Sequence, residues 1–274
     1  CWVDEAEPVT EEAWIKLIPT LREEDSELWV TWNPESKRSP THKRFRECKP
    51  DPRMKVAEIN WKDNPWFPSV LQRTRQRDMA DRPDSYEHVW EGGFATVFHG
   101  AYYVSELVTA KNAGRIDRVE ISPDLPVHTA WDLGIGDSTA IWFFQVAGSE
   151  IRVIDFYEST GQGLPHYAQV LASKGYTYGF DWVPHDAKVR ELGTGRTRVE
   201  TLKALGRKPK LVPGHTLMDG INAVRETLPK CWFDAEKTDY GLDALRQYRS
   251  EYKEDDAVFN DKPLHDWTSH AADA

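Results

Sequence analysis

The sequence predicts an α/β chain of three parts. Apolar runs with strand character alternate with segments of helical period, as expected of sheets covered by helices. The stretch 36–125 interrupts this pattern with basic, aromatic and turn-forming residues. From 126 onward a strand, a hairpin, a helix and another strand follow in order, which is the pattern of an α/β domain. The expected domains are 1–60, 61–125 and 126–274.

Residues 1–35 read as strand, helix, strand: CWVDEAE, then EEAWIKLIPTLR, then SELWVTWNP. Ala13, Ile15, Leu17, Ile18 and Leu21 put most of the helix's bulk on one face, which predicts that face as its buried side. Pro34 ends the second strand because it has no N–H for a ladder. NPWFP at 64–68 is a turn, and VLQRTRQRDMAD after it is a helix that stops near Pro83. VHTAWDLG opens the last part as a strand, and TAIWFFQV and IRVIDFYE flank AGSE as a hairpin. LPHYAQVLASKG is a helix ending at Gly175, and YGFDWVPHDA is a further strand. Helices are expected around 199–206, 216–228 and 241–252, and LHDWTSHAADA begins one more.

A chain of 274 residues, 39% hydrophobic and with 12 Trp, can build a substantial core. No apolar run approaches the roughly 18 residues of a membrane span, so a soluble protein with no membrane partner is expected. No signal peptide is visible. The first residue is Cys and the chain opens inside a strand pattern, which predicts a fragment with upstream sequence missing. Cys1, Cys48 and Cys231 lie far apart, without zinc spacing or a paired framework; reduced thiols in a cytosolic setting are expected. The net charge of −10 conceals an asymmetry. Between Lys37 and Arg82 stand 13 Lys/Arg against 6 Asp/Glu, an excess of +7, so the rest carries −17. Carboxylates clustered there are either metal ligands or a solvated surface.

CWVDEAE is an apolar strand ending in Asp4-Glu5. The Walker B element of a P-loop ATPase has this form: Asp4 would hold Mg²⁺ at the strand's end, and Glu5 would polarise the attacking water. The alternative is a helix start, where acids favour the positive dipole end. SELWVTWNP is a second strand ending in Thr31 and Asn33, polar residues that suit sensing a γ-phosphate or that simply form a strand end. No G-x-x-x-x-G-K-[ST] occurs, so no phosphate cradle is present and this chain is not expected to hydrolyse ATP.

Two-metal cleavage of a phosphodiester needs carboxylates converging from different elements on cations about 3.5–4 Å apart. RNase H-like folds supply one Asp on the first strand, an acid at a nearby strand end and one on a late helix. Asp132 lies in the apolar strand HTAWDLG, where a charge is expensive to bury unless paired or metal-bound. Asp186 ends YGFDWVPHDA, and His270 and Asp273 stand three apart on one helix face in SHAADA. The alternatives are a turn former at Asp132, a helix cap at Asp186 and a surface acid at Asp273. Asp137, Asp155, Glu158 and Asp266 compete as auxiliary ligands, while Asp181 is read as structural. KVRELGTGRTRVE carries Lys188, Arg190, Arg196 and Arg198 in a Gly-containing segment, either a mobile loop that contacts DNA phosphates or a solvated surface loop.

DEAE, LIPTLR, SELWVTWNP and DNPWFP together resemble the ATPase tail and linker of phage terminase large subunits, the PBSX-like group in particular. WDLGIGDSTAI, WVPHDA and LHDWTSHAADA resemble the nuclease domain of that family. The resemblance implies an RNase H-like nuclease domain preceded by a remnant of a P-loop ATPase domain and a small linker subdomain. It implies a metal-dependent endonuclease of a tailed phage that cuts concatemeric DNA. In the full-length protein this is coupled to ATP-driven packaging into the procapsid. Asp4, Glu5, Thr31, Trp32 and Asn33 match the family's ATPase residues. Asp132, Asp186 and Asp273 match its nuclease carboxylates, and His270 a histidine beside them. Also implied are Mg²⁺ or Mn²⁺ at the nuclease, ATP–Mg²⁺ only in the full-length protein, and double-stranded DNA, portal protein and small terminase subunit as partners. A homo-oligomer on the portal, working in the host cytoplasm and not expected in the mature virion, follows from the same resemblance. The rival readings are an RNase H-fold resolvase or transposase, and a non-catalytic packaging or docking module.

Overall fold

The computed structural model divides into two compact units, Cys1–Val97 and Phe98–Ala274. It describes the chain apart from residues 96, 97, 99, 135–137, 191–194 and 254–257, and apart from the side chains at 83, 84, 252, 253 and 258–261.

In the first unit β1 (Trp2–Val3) pairs in parallel with β2 (Trp29–Val30). The ladder continues where Thr31 N–H donates to Val3 O and Ala6 N–H to Thr31 O. Between the strands lies α1 (Glu11–Leu17), capped by the Thr10 hydroxyl, which accepts from Ala13 N–H. Pro19 cannot donate to a continuing helix, so the α-helix gives way to a 3-10 turn over Ile18–Thr20 and is shorter than its apolar pattern predicts. The buried face also differs from the expected one. Ile15 is 58% exposed, whereas Trp14 is fully buried. The reason is polar as well as steric: Trp14 Nε1 donates to Thr41 Oγ1 at 3.0 Å, and its ring meets Phe45 edge-on. Thr41 and Phe45 belong to α2 (Pro40–Phe45). A helical pair, α3 (Ser69–Asp81) and α4 (Pro83–Glu91), follows. Pro83 starts the second helix as well as stopping the first, since its missing N–H costs nothing in a first turn.

The second unit contributes α5 (Val104–Asn112), β3 (Ile116–Asp117), β4 (Val127–Asp132), β5 (Ser138–Ala147), β6 (Glu150–Thr160), α6 (Leu164–Ser173) and β7 (Tyr178–Val183). Then come α7 (Arg198–Ala204), β8 (Pro209–Leu211), α8 (Leu217–Thr227), β9 (Cys231–Asp234), α9 (Asp239–Gln247), β10 (Ser250–Lys253), β11 (Val258–Pro263) and α10 (Ser269–Asp273). Seven strands form one sheet in the order β3-β9-β6-β5-β4-β7-β8. β4, β5 and β6 make an antiparallel meander, β7 lies parallel to β4, and β8 parallel to β7. That run has the strand order and directions expected of an RNase H-like sheet, and β9 and β3 extend it in parallel beyond β6.

Each face of the sheet has its own core. Val127 and Trp131 of β4 pack with Tyr167 and Leu171 of α6 and Leu202 of α7. The opposite face gathers Ala140, Trp142 and Phe156 against Leu107 of α5, Leu242 and Leu245 of α9 and Ala271 of α10. The alternation of β4 sends Val127, Thr129 and Trp131 to the first core and His128, Ala130 and Asp132 to the second side. The helix expected over 241–252 ends at Gln247, and the chain turns into β10. Among the described residues no helix is long and apolar enough to cross a membrane.

Candidate active site

Asp132 is the last residue of β4, where the strand leaves the sheet. Its side chain is 24% exposed and its Oδ2 lies 3.2 Å from His270 Nδ1. Burial raises its pKa above the ordinary carboxylate value; the His270 hydrogen bond and the Leu133 N–H oppose that shift, and the charge of Asp186 adds to it.

His270 and Asp273 reach the same place on α10. That helix is only five residues long, so its position depends on anchors. Trp142 Nε1 donates to Ala271 O at 2.7 Å. Asp266 accepts from Thr268 N–H at 2.9 Å and from its hydroxyl at 2.5 Å, fixing the turn that enters the helix. α9 packs close beneath because Gly241 has no side chain: a Cβ there would lie 2.3 Å from the Trp142 ring. Asp273 is exposed as a residue, but crowding around its carboxyl group first and the Asp132 charge second push its pKa up to about 6. His270, His265 and His215 face it and pull the other way. His270 is itself buried, with the His265 ring edge-on at 6.2 Å.

Asp186 arrives from β7, which lies beside β4 with Trp182 opposite Ala130. The strand ends at Val183, earlier than expected, because Pro184 interrupts it; Asp186 then sits in a 3-10 turn over His185–Lys188. Its side chain is 55% exposed and its Oδ2 lies 3.7 Å from Arg198 Nη1. Arg198 also donates to Leu133 O at 3.2 Å. This arginine therefore ties the Asp186 turn to the end of β4 instead of hanging in a basic loop. It opens α7, where Thr197 and Glu200 form a capping box. Arg190 donates to Gly195 O at 2.7 Å and bridges to Thr197, while Glu191–Thr194 lie outside the described residues.

Three carboxylates from three elements thus bear on one another electrostatically: Asp186 and Asp132, Asp132 and Asp273. Hard oxygen donors of this kind suit Mg²⁺ or Mn²⁺, and a cation would offset both the desolvation and the neighbouring negative charge that raise two of their pKa values. Among the described residues, however, no three His, Cys, Asp or Glu side chains already stand as a ligand set. Cation binding at this donor set therefore requires side-chain rearrangement.

The competing acids separate. Asp181 is fully buried, accepts from Thr129 Oγ1 at 2.6 Å and pairs with Arg207 at 2.5 Å. Asp155 pairs with Lys174 at 2.5 Å and accepts from Tyr176 OH at 3.2 Å. Both hold the fold. Asp137 lies outside the described residues. Glu158 stands in the cross-strand row Asp132, Ala140, Glu158 and lines a cleft of about 350 Å³ with Ser138, Phe156 and Tyr240. A bulge between Phe143 and Phe144 sets that row, so counting back from the hairpin turn would have put Tyr157 there instead.

In the first unit, Thr31 Oγ1 donates to Asp4 Oδ1, linking the ends of β1 and β2. Glu5 adopts a positive φ of 49°, rare for a residue with a side chain. Asn33 is exposed. Glu7, which the sequence reading passed over, accepts from Glu35 N–H and Ser36 N–H at 3.0 Å each and from Ser39 Oγ at 3.1 Å. It thereby shapes the loop after β2.

Residues 1–93 match the family model described as phage terminase large subunit. Among solved structures, the large terminase of a thermophilic bacteriophage is 14% identical, with a TM-score of 0.49 over 99% of this chain and 66% of that one. This chain therefore spans just under two thirds of that protein's length. The cobalt-bound large terminase nuclease of thermophilic phage G20c is 16% identical, covering 64% of this chain and 96% of that one, with a TM-score of 0.44. The manganese-bound large terminase nuclease domain of bacteriophage SPP1 is 13% identical, covering 60% and 86%, with a TM-score of 0.42. No curated protein sequence matches the chain.

Proposed function

We propose that the second unit is a divalent-metal-dependent DNA endonuclease, and that the chain is the nuclease-bearing part of a tailed-phage large terminase. One observation carries the reading: Asp132, Asp186 and Asp273 come from a first strand, the turn after a fourth strand and a last helix around a sheet of RNase H-like order, and bear on one another. In this reading Asp132, Asp186 and Asp273 hold one or two cations. The cations would supply positive charge at the scissile phosphate and acidify the attacking water. His270 orients the Asp132 carboxylate. Arg198 keeps Asp186 beside the end of β4, and Lys188, Arg190 and Arg196 face DNA phosphates. In the first unit, Asp4, Glu5, Thr31 and Asn33 would serve ATP–Mg²⁺ in a protein that also has a phosphate-binding loop. Residues 1–60 would be the end of that ATPase domain and 61–125 a linker to the nuclease at 126–274. Concatemer cutting, packaging into a procapsid in the host cytoplasm, and assembly as a homo-oligomer with portal protein and small terminase subunit belong to the same proposal.

The test is supercoiled-plasmid nicking with Mn²⁺, Mg²⁺ or EDTA. We expect metal-dependent nicking with little sequence preference. Asp132→Ala should abolish it, and His270→Ala should reduce it without abolishing it. If Asp132→Ala nicks as well as the parent, the nuclease reading gives way to a docking module.

A further inference from the structure

The arginines of α3 divide between two faces, and the exposed Asp81 stands one turn beyond Arg77 at the helix end. Arg75 points inward, its guanidinium 3.9 Å from the Trp61 ring centroid and hydrogen-bonded to Tyr86 OH. Asp78 is also engaged, accepting from Trp90 Nε1 at 3.1 Å. The outward face carries Val70, Arg73, Gln76 and Arg77, all exposed. Arg73 and Arg77 have no ion-pair or hydrogen-bonding partner among the described residues. Standing one turn apart, they repel each other, a placement that weakens an isolated helix by a few tenths of a kcal/mol. Trp66, 85% exposed, precedes the helix by one turn. Four other cations of the unit are engaged: Arg44 with Glu11, Arg46 with Glu58, Arg53 with Asp51, Lys62 with Glu91.

We propose that this outward face of α3 binds the phosphate backbone of DNA through Arg73 and Arg77. The inference rests on the DNA-handling function proposed above and names a surface for it in the first unit. Two guanidinium groups about 6 Å apart along a helix present donor forks to successive phosphates, and arginine pairs with phosphate in bidentate fashion. The exposed Trp66 ring adds an apolar surface for sugar or base. A carboxylate can accept the same forks. DNA is the fitting occupant because the surrounding block from Lys37 to Arg82 carries an excess of +7, which suits an extended polyanion.

The experiment follows fluorescence anisotropy of a short labelled duplex in EDTA across a salt series. It compares the parent chain, the Arg73→Ala/Arg77→Ala double variant and a Lys49→Ala/Lys55→Ala double variant that removes equal charge elsewhere in the unit. Each lost phosphate contact lowers the slope of log K against log salt by about 0.9. We expect the arginine double variant to bind about ten-fold more weakly at low salt, with its slope reduced by about 2, while the lysine variant keeps the parent's slope. Thermal unfolding should be undiminished in both variants, since none of these side chains makes an ion pair or hydrogen bond among the described residues and losing the Arg73–Arg77 repulsion costs nothing. A parent-like slope for the arginine variant overturns the proposal and assigns the face to another occupant, such as an acidic protein. Equal losses in both variants overturn it too, because the effect would then be general charge. Plasmid nicking by the parent separates the readings: nicking with an unaltered slope sinks only the α3 surface.

Discussion

Asp273 is exposed to solvent yet stands close enough to Asp132 to feel its charge, and that placement costs stability when both are ionised. Its pKa is near 6 in the folded chain against an ordinary 3.8. The folded state thus holds this proton more tightly than the unfolded chain. Below about pH 4 the group contributes nothing either way; as pH climbs through 6 it becomes a penalty, which solvent screening reduces because the residue is exposed. Asp273→Asn should therefore raise the urea midpoint in EDTA at pH 8 and change it little at pH 4. An equal effect at both pH values would mean the penalty is not electrostatic. The same variant should lose nicking activity, so stability and function trade against each other at one residue. At this scale the sequence was informative where chemistry and local pattern agreed. Asp132 was visible as a charge closing an apolar strand, and His270 and Asp273 as a pair three apart. Glu158 was listed among the acids, but its place in the Asp132 row depends on a bulge that no local pattern encodes. Arg198 looked like a loop cation because its partner, the Leu133 carbonyl, is 65 positions away.

Short elements hold the site, and they do so through long ones. α10 is too short to be stable alone, and it stays in place because Trp142 on β5 and the turn at Asp266 anchor it. Gly241 on α9 makes that packing possible by leaving room for the Trp142 ring. Gly241→Ala should consequently destabilise the second unit by about 1–3 kcal/mol, as overpacking does, and should slow nicking by displacing α10. Denaturant unfolding and plasmid nicking would report the two effects; wild-type values in both would show that the contact is not tight. The long elements were readable from periodicity: β4, the β5–β6 hairpin, α6 and β7 all lie where the pattern predicts. β3, β8 and β9 have two to four residues and offer no period to read. The helix expected around 241–252 stops at Gln247, where Tyr248 takes up an extended backbone, and β10 follows. α1 was overextended because its pattern ran through Pro19.

Across the whole chain, charge and fold speak to different questions. The net charge of −10 is of little use for predicting partners, whereas the basic block between Lys37 and Arg82 falls entirely within the first unit. The compact division comes after Val97, while composition shifts at 126. Composition reports surface character; Tyr102, Tyr103 and Leu107 enter the second unit's core without altering it. The family match covers residues 1–93, and the seven-stranded sheet belongs to the second unit. The account stands or falls on whether the carboxylates of that sheet gather a cation. The most direct measurement is an anomalous difference map from a crystal soaked in Mn²⁺. We predict one or two peaks, with oxygens of Asp132, Asp186 and Asp273 at about 2.0–2.3 Å, and no such peaks in Asp132→Ala. Manganese bound elsewhere, or the three carboxylates remaining more than about 10 Å apart in the soaked crystal, would contradict it.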